Sequence, residues 1–302
     1  MEPAEGRNEL GPVSAGERVV ALDVLRGVSL FGILLFNIGY FGFPVDYSGF
    51  YAERFPAAPD QAVIWFTRLF VEGKFYSLFS LLFGVGMAVQ LSRARERGLP
   101  FGPFFRRRLL VLLVLGLLHD IFLWPGAILI AYGLLGFVLL PFRDRGQKTL
   151  LTWALALALV PAVLVAGGLT VAAARAPVGE EAADEATARE ETRRQEFEEE
   201  LELFRHGSYP EMVVFRVKVL PVTIVTVLAL GPYVVAMFLL GMWIWRSGLL
   251  QDLAGSRLLL RRCLWTGLLL GGLGHALSAW IRVTWTPDHP VPVGGLALSL
   301  IH

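Results

Sequence analysis

The chain of 302 residues has one cysteine, Cys263, and only five histidines. A single thiol excludes an intrachain disulfide. No CxxC, HExxH or histidine-rich tract supplies metal-ligand spacing, so no metal is expected and Cys263 reads as a small apolar filler. Charge is also scarce: 18% of residues are charged against 55% hydrophobic, with a formal net charge of +1. That balance leaves no basic footprint for nucleic acid, and no nucleic-acid partner is expected. The polar, acid-bearing stretch Met1–Glu17 lacks the basic n-region and small-residue cleavage site of a signal peptide, so the first apolar helix is expected to stay in the mature protein.

Uninterrupted apolar sequence is abundant. Mean hydropathy is +0.59, and several runs reach the roughly 20 residues that cross about 30 Å of hydrocarbon. Lipid cannot satisfy backbone N–H and C=O groups, so each run must be helical. The fold class is therefore all-α: a polytopic transmembrane bundle of about seven spans plus the start of an eighth, with the lipid bilayer as its partner. Spans are predicted over 19–40, 75–91, 105–124, a stretch ending near Phe142, 150–174, 213–245 and 258–283, with 291–302 opening another. Phe41 to Gln61 reads as an interfacial loop, and Gln61–Glu72 as a short amphipathic segment that lies in the interface or re-enters. The 213–245 run is too long for one span, and Pro221 and Pro232 are expected to divide it.

Four regions follow: a tail, 1–18; an N-terminal bundle of five spans, 19–174; an acidic outer loop, 175–212; and a C-terminal membrane segment, 213–302. Within the acidic loop Phe197, Leu201 and Phe204 fall at helical spacing, which predicts an amphipathic helix on the membrane surface. Basic residues cluster at Arg93–Arg108, Arg143–Lys148 and Arg246–Arg262. All three clusters fall on one side if the N-terminus is cytoplasmic, which places the acidic loop and the Asp288-His289 turn outside.

Ionisable groups inside such helices are costly and by default mark function. Asp23 and Arg26 lie three residues apart on the first helix and can pair. Asn37, eleven residues beyond Arg26, returns to the same face three turns later. The stripe fits a structural ion pair with an interhelical asparagine, or a functional site. Lys74 opens the second span, where its ammonium could also snorkel to the interface. Gly84 and Gly86 permit close helix packing. His119, near the end of the third span, could act as base or nucleophile. Asp120 beside it points about 100° away and is a poor partner. His275 reads as a packed core histidine.

The segments LDVLRGVSLFGILLFN (22–37), EGKFYSLFSLLFGVGM (72–87), RRRLLVLLVLGLLH with LWPGAILIAYGLLGF (106–137), HGSY (206–209) and FLLGMWIWRSGLL (238–250) resemble, in order, the YeiB-like family of bacterial membrane proteins. The first is also similar to the heparan-alpha-glucosaminide N-acetyltransferases, which pass acetyl from cytosolic acetyl-CoA to an amino sugar across a membrane. In that comparison Asp23, Arg26 and Asn37 match an Asp, an Arg and a catalytic Asn. The pattern departs in three places. No histidine occurs between Asn37 and His119, Ala127 stands where the family usually has an acid, and the family continues past residue 302 into further helices.

The resemblance implies a multi-pass protein of the bacterial inner membrane that moves an acyl group from acyl-CoA, as co-substrate, to an outward-facing or lipid-linked acceptor. In this reading Asn37 and His119 would be catalytic, with His119 substituting from another helix for the acetyltransferases' histidine, and Asp23, Arg26 and Lys74 would bind substrate. A transporter of a lipid or small solute would use the same polar stripe as a pathway, and a non-catalytic scaffold would need only its packing. A homo-oligomer is compatible with each.

Overall fold

The computed structural model describes residues 20–41, 44, 54–126, 128–175, 180–252 and 255–284. The tail 1–18, the expected helix opening at 291–302, Asp288, His289 and Ala127 lie outside them, as does the side chain of His275. Among the described residues there is no strand, and the chain is a helical bundle. Its helices are α1 (Val20–Ile38), α2 (Ala58–Phe66), α3 (Lys74–Glu96), α4 (Phe101–Phe122), α5 (Ile128–Leu135), α6 (Gln147–Arg175), α7 (Glu180–His206), α8 (Tyr209–Arg246) and α9 (Arg257–Thr284).

Four described segments are long and apolar enough to cross a membrane: Val20–Ile38, Ala58–Glu96, Gln147–Leu164 and Tyr209–Arg246. Helix α4 is 22 residues long, about 33 Å, but carries Arg106, Arg107 and Arg108 near its start. Valines and leucines along α1, α4, α6 and α8 remain exposed on the protein surface, as a bilayer-facing bundle requires.

Several boundaries move from their predicted places for local reasons. Helix α3 runs through the polar turn SRARE, where Arg93 and Arg95 occupy the last turn favoured by cations. A π-turn, Thr67–Val71, follows α2, and Gly73 then adopts a left-handed φ of 73° that turns the chain into α3. The span after the Pro125-Gly126 turn is α-helical only to Leu135 and tightens into a 3₁₀ segment, Gly136–Phe142. Pro221 and Pro232 do not divide the long run: α8 is one helix of 38 residues. Helices α3 and α6 pack along it and stabilise the helix that each proline weakens by removing one backbone donor.

The α3–α8 contact is backbone against backbone. A β-carbon on Gly84 would collide with the carbonyl of Phe238, and one on Gly241 with that of Leu81, so glycine is required on both helices. A second glycine seam joins α4 to α5. A β-carbon on Gly116 would stand 2.6 Å from the Ile130 nitrogen, and one on Gly133 2.7 Å from that of Leu113. Tyr132 lies buried between the two seams, edge-on to Phe238 and Phe83 and stacked on Phe79. Its hydroxyl shares a 2.7 Å hydrogen bond with the buried Ser80 hydroxyl, so each satisfies the other inside the aromatic core.

Phe197 and Leu201 of α7 are buried, and Phe204 meets the ring of Phe215 on α8. The predicted apolar face exists, but it is spent on protein packing. Cys263 is exposed on α9 and fills no core.

Candidate functional site

Helices α1, α3 and α4 alternate in direction, so α1 and α4 are parallel, with α3 antiparallel to both. Along α1, Gly32 lies against the ring of Phe75, and the Arg26 guanidinium lies against Gly86, where a β-carbon would come within 3.2 Å of it. Glycine at 86 thus leaves the backbone of α3 open to an arginine. Arg26 pairs with Asp23 at 2.9 Å, as the three-residue spacing predicts, and Arg108 of α4 lies within electrostatic reach of Arg26.

Arg26 and Arg108 occupy the same level on parallel helices. Asn37 lies eleven residues beyond the first, and His119 eleven residues beyond the second, each about 16 Å along its helix. Just past the ends of the two helices the chain is tied together. The indole of Trp124 donates to the Tyr40 carbonyl at 3.4 Å, and its ring meets Phe41 edge-on, with centroids 5.3 Å apart. The polar residues of α1 and α4 therefore follow the same eleven-residue spacing along parallel helices that meet through Tyr40, Phe41 and Trp124 just past their ends, with α3 beside them.

At one end of this strip stand Asp23, Arg26 and Arg108. Gln90 of α3 lies one turn beyond Gly86, and its buried Oε1 has no hydrogen-bond partner. At the other end Asn37 is half-buried, and His119 holds a buried Nδ1 that also lacks a partner. Asp120 is fully buried and serves the turn: its Oδ1 accepts the Gly126 N–H at 2.9 Å, while Gly126 takes a φ of 103°. The 100° separation of adjacent helical residues explains why it does not do the same for His119.

Lys74 is used locally. Its ammonium donates to the carbonyls of Glu72 at 3.2 Å and Arg68 at 3.4 Å, holding the π-turn that leads into α3. Near it the Tyr40 hydroxyl is pushed up to about 12, first by burial and then by the Glu72 carboxylate, with Arg68 acting against both. Tyr40 therefore stays protonated at any physiological pH.

By sequence alone Arg108 belongs with the loop arginines. Its eleven-residue spacing to His119 repeats that of Arg26 to Asn37, and this was the legible signal. Gln90 had none, because a single amide in an apolar helix is ordinary.

A second polar cluster closes the end of the bundle nearest Arg26, here called the basic end. Arg95 reaches Asp144 at 2.7 Å, and Arg143 reaches it at 3.0 Å. Arg246, at the end of α8, donates to the carbonyls of Arg143 and Arg145, and Gln147 donates back to the Arg246 carbonyl at 2.7 Å. These bonds tie the ends of α3 and α8 to the 143–147 turn. The two arginines hold the Asp144 carboxyl below the usual carboxylate range.

Among curated proteins, the chain is 42% identical over 159 residues to the uncharacterized protein YxaH of Bacillus subtilis. It is 41% identical over 123 residues to the uncharacterized protein YeiB of Escherichia coli. Over the matched stretches the chain is similar to both of these uncharacterized proteins. An uncharacterized 39.9 kDa protein of Bacillus acidopullulyticus matches at 38% over 135 residues. The matches take in 51%, 40% and 44% of this chain but only 39%, 30% and 36% of YxaH, YeiB and the 39.9 kDa protein respectively. The chain thus spans less than half the length of each relative it matches. No family profile matches it, and no solved structure does.

Proposed function

We propose that this YeiB-like protein is a membrane-embedded acyltransferase that moves an acyl group from a cytosolic acyl-CoA to an outward-facing or lipid-linked acceptor. What carries the reading is the shared spacing of the two polar stripes, with Arg26 and Arg108 at one level and Asn37 and His119 at the next. An imidazole with a nitrogen left unengaged by the protein can serve as a general base. In this reading His119 takes the proton of the acceptor N–H or O–H as that atom attacks the thioester carbonyl. The C–S bond breaks, and the coenzyme A thiolate leaves with the proton from His119. The Asn37 amide donates to the oxyanion that forms between the two events.

The basic end faces the cytoplasm of a bacterial cell in this proposal, as the arginine-rich loops favour. Asp23 orients Arg26, and Arg26 and Arg108 receive the phosphates of the donor. Lys74 stands at the acceptor's end, its ammonium anchored to the π-turn.

Calorimetric titration of purified protein with acetyl-CoA and longer acyl-CoAs tests the reading, alongside an Asn37→Ala, His119→Ala double variant. Saturable binding, with acyl turnover abolished in the variant, is the expected result. Folded protein that binds no acyl-CoA would instead favour a transporter using the stripe as a pathway, or a scaffold.

A further inference from the structure

Arg216 of α8 has no role in that reaction, yet among the described residues its guanidinium holds two buried nitrogens, Nε and Nη1, without a hydrogen-bond partner. Lys218, two residues on, is exposed. A buried lysine can relieve its position by losing a proton, whereas a guanidinium cannot. Three N–H donors, one on Nε and two on Nη1, are therefore held out of water with nothing to receive them. Such an arrangement is costly unless an anion completes it.

Depth indicates which anion. Arg246, thirty residues further along the same continuous helix, is fixed among the carbonyls of the basic end. Thirty residues rise about 45 Å, the thickness of a bilayer with both headgroup regions. With Arg246 in one headgroup layer, Arg216 lies in the other, where the abundant oxyanion is phosphate. Tyr209 stands two turns before Arg216 on the same face, and its hydroxyl donates to the Phe122 carbonyl at 2.9 Å. Helical side chains lean toward the helix N-terminus, so Arg216 leans toward the junction of α8 with the end of α4.

We propose that Arg216 is the receptor for a phosphate group at the far end of the bundle, between α8 and the end of α4. The phosphate belongs to a membrane lipid headgroup or to a soluble phosphate. The site stands whether or not the protein transfers acyl groups.

The test is thermal unfolding of the delipidated full chain in detergent, titrated with dihexanoyl phosphatidylglycerol, inorganic phosphate and phosphate-free dihexanoylglycerol. Wild type is expected to gain a saturable rise in Tm from a phosphate-bearing probe and none from dihexanoylglycerol. The midpoint concentration should be at least about tenfold higher in Arg216→Gln, the cost of one charge-assisted contact. Arg216→Lys should fall between the two. A response to phosphatidylglycerol alone assigns the site to a lipid headgroup, and a response to inorganic phosphate as well assigns it to soluble phosphate. No saturable response in wild type, or superimposable wild-type and Arg216→Gln curves, would overturn the proposal. So would a ligand-free Arg216→Gln that unfolds well below wild type, because the guanidinium would then be supporting the fold.

Discussion

At the basic end, Arg95, Arg143 and Arg246 are all engaged, two by the Asp144 carboxylate and the third by backbone carbonyls. Toward the far end, the Nδ1 of His119 and the Nε and Nη1 of Arg216 are buried and unmatched. The same fold therefore satisfies one set of ionisable groups and leaves another set open. Satisfied groups close the ends of α3 and α8 against a turn and act as a clasp. Open groups contribute nothing to that closure, and in the two proposals above they meet ligands. Breaking the first set should change stability, and breaking the second should change chemistry.

The largest effect is expected at His119. In the acyl-transfer reading His119→Ala lowers acyl turnover about 10²–10⁴-fold, or roughly 3–5 kcal/mol of barrier, while Tm stays within a few degrees of wild type. A parallel collapse of Tm would move His119 into the structural set. Next comes Gly84→Val, which strikes the helix pair joining the two ends. The new side chain meets the Phe238 carbonyl, and unfolding in detergent should show a loss of about 1–3 kcal/mol. Retained stability would mean that α3 and α8 can part freely.

Arg246→Ala removes the donors to the Arg143 and Arg145 carbonyls. A loss of about 1–2 kcal/mol is expected, with acyl-CoA affinity unchanged, and a change in affinity without a change in Tm would reverse the assignment of the clasp. The smallest effect belongs to Asp144. Its carboxyl titrates lower folded than unfolded, so its contribution is present above the ordinary carboxylate pKa near 4 and is lost as pH falls through the folded value. Because Asp144 is largely exposed, screening leaves about a few tenths of a kcal/mol. A comparison of wild type with Asp144→Asn between pH 5 and pH 3 should show the wild type losing slightly more stability on acidification. Parallel curves would remove Asp144 from the clasp.

Part of the candidate site is legible in the sequence. The three-residue spacing of Asp23 and Arg26 became an ion pair, because i and i+3 share a helical face in any environment. Phe197, Leu201 and Phe204 mark an apolar face for the same reason. What their spacing could not say is whether that face meets lipid or protein, since both reward the same apolar pattern. Pro221 and Pro232 misled, because local propensity argued for a break where long neighbours support the helix along its length.

The amino-acid sequence by itself determined that this is a membrane-type helical bundle, since apolar runs of that length leave the backbone only helix. It also determined which faces of α1 and α4 carry polar groups. Tertiary structure alone decided that Arg26 stands opposite Gly86 and level with Arg108, that Asp120 serves a turn, and that Arg95 and Arg246 are engaged while Arg216 is not. Helical periodicity is a property of one segment and can be read locally. The partner of a charge depends on which helices lie side by side and at what register, and in this protein that is set by glycine seams between segments up to about 160 residues apart in the chain.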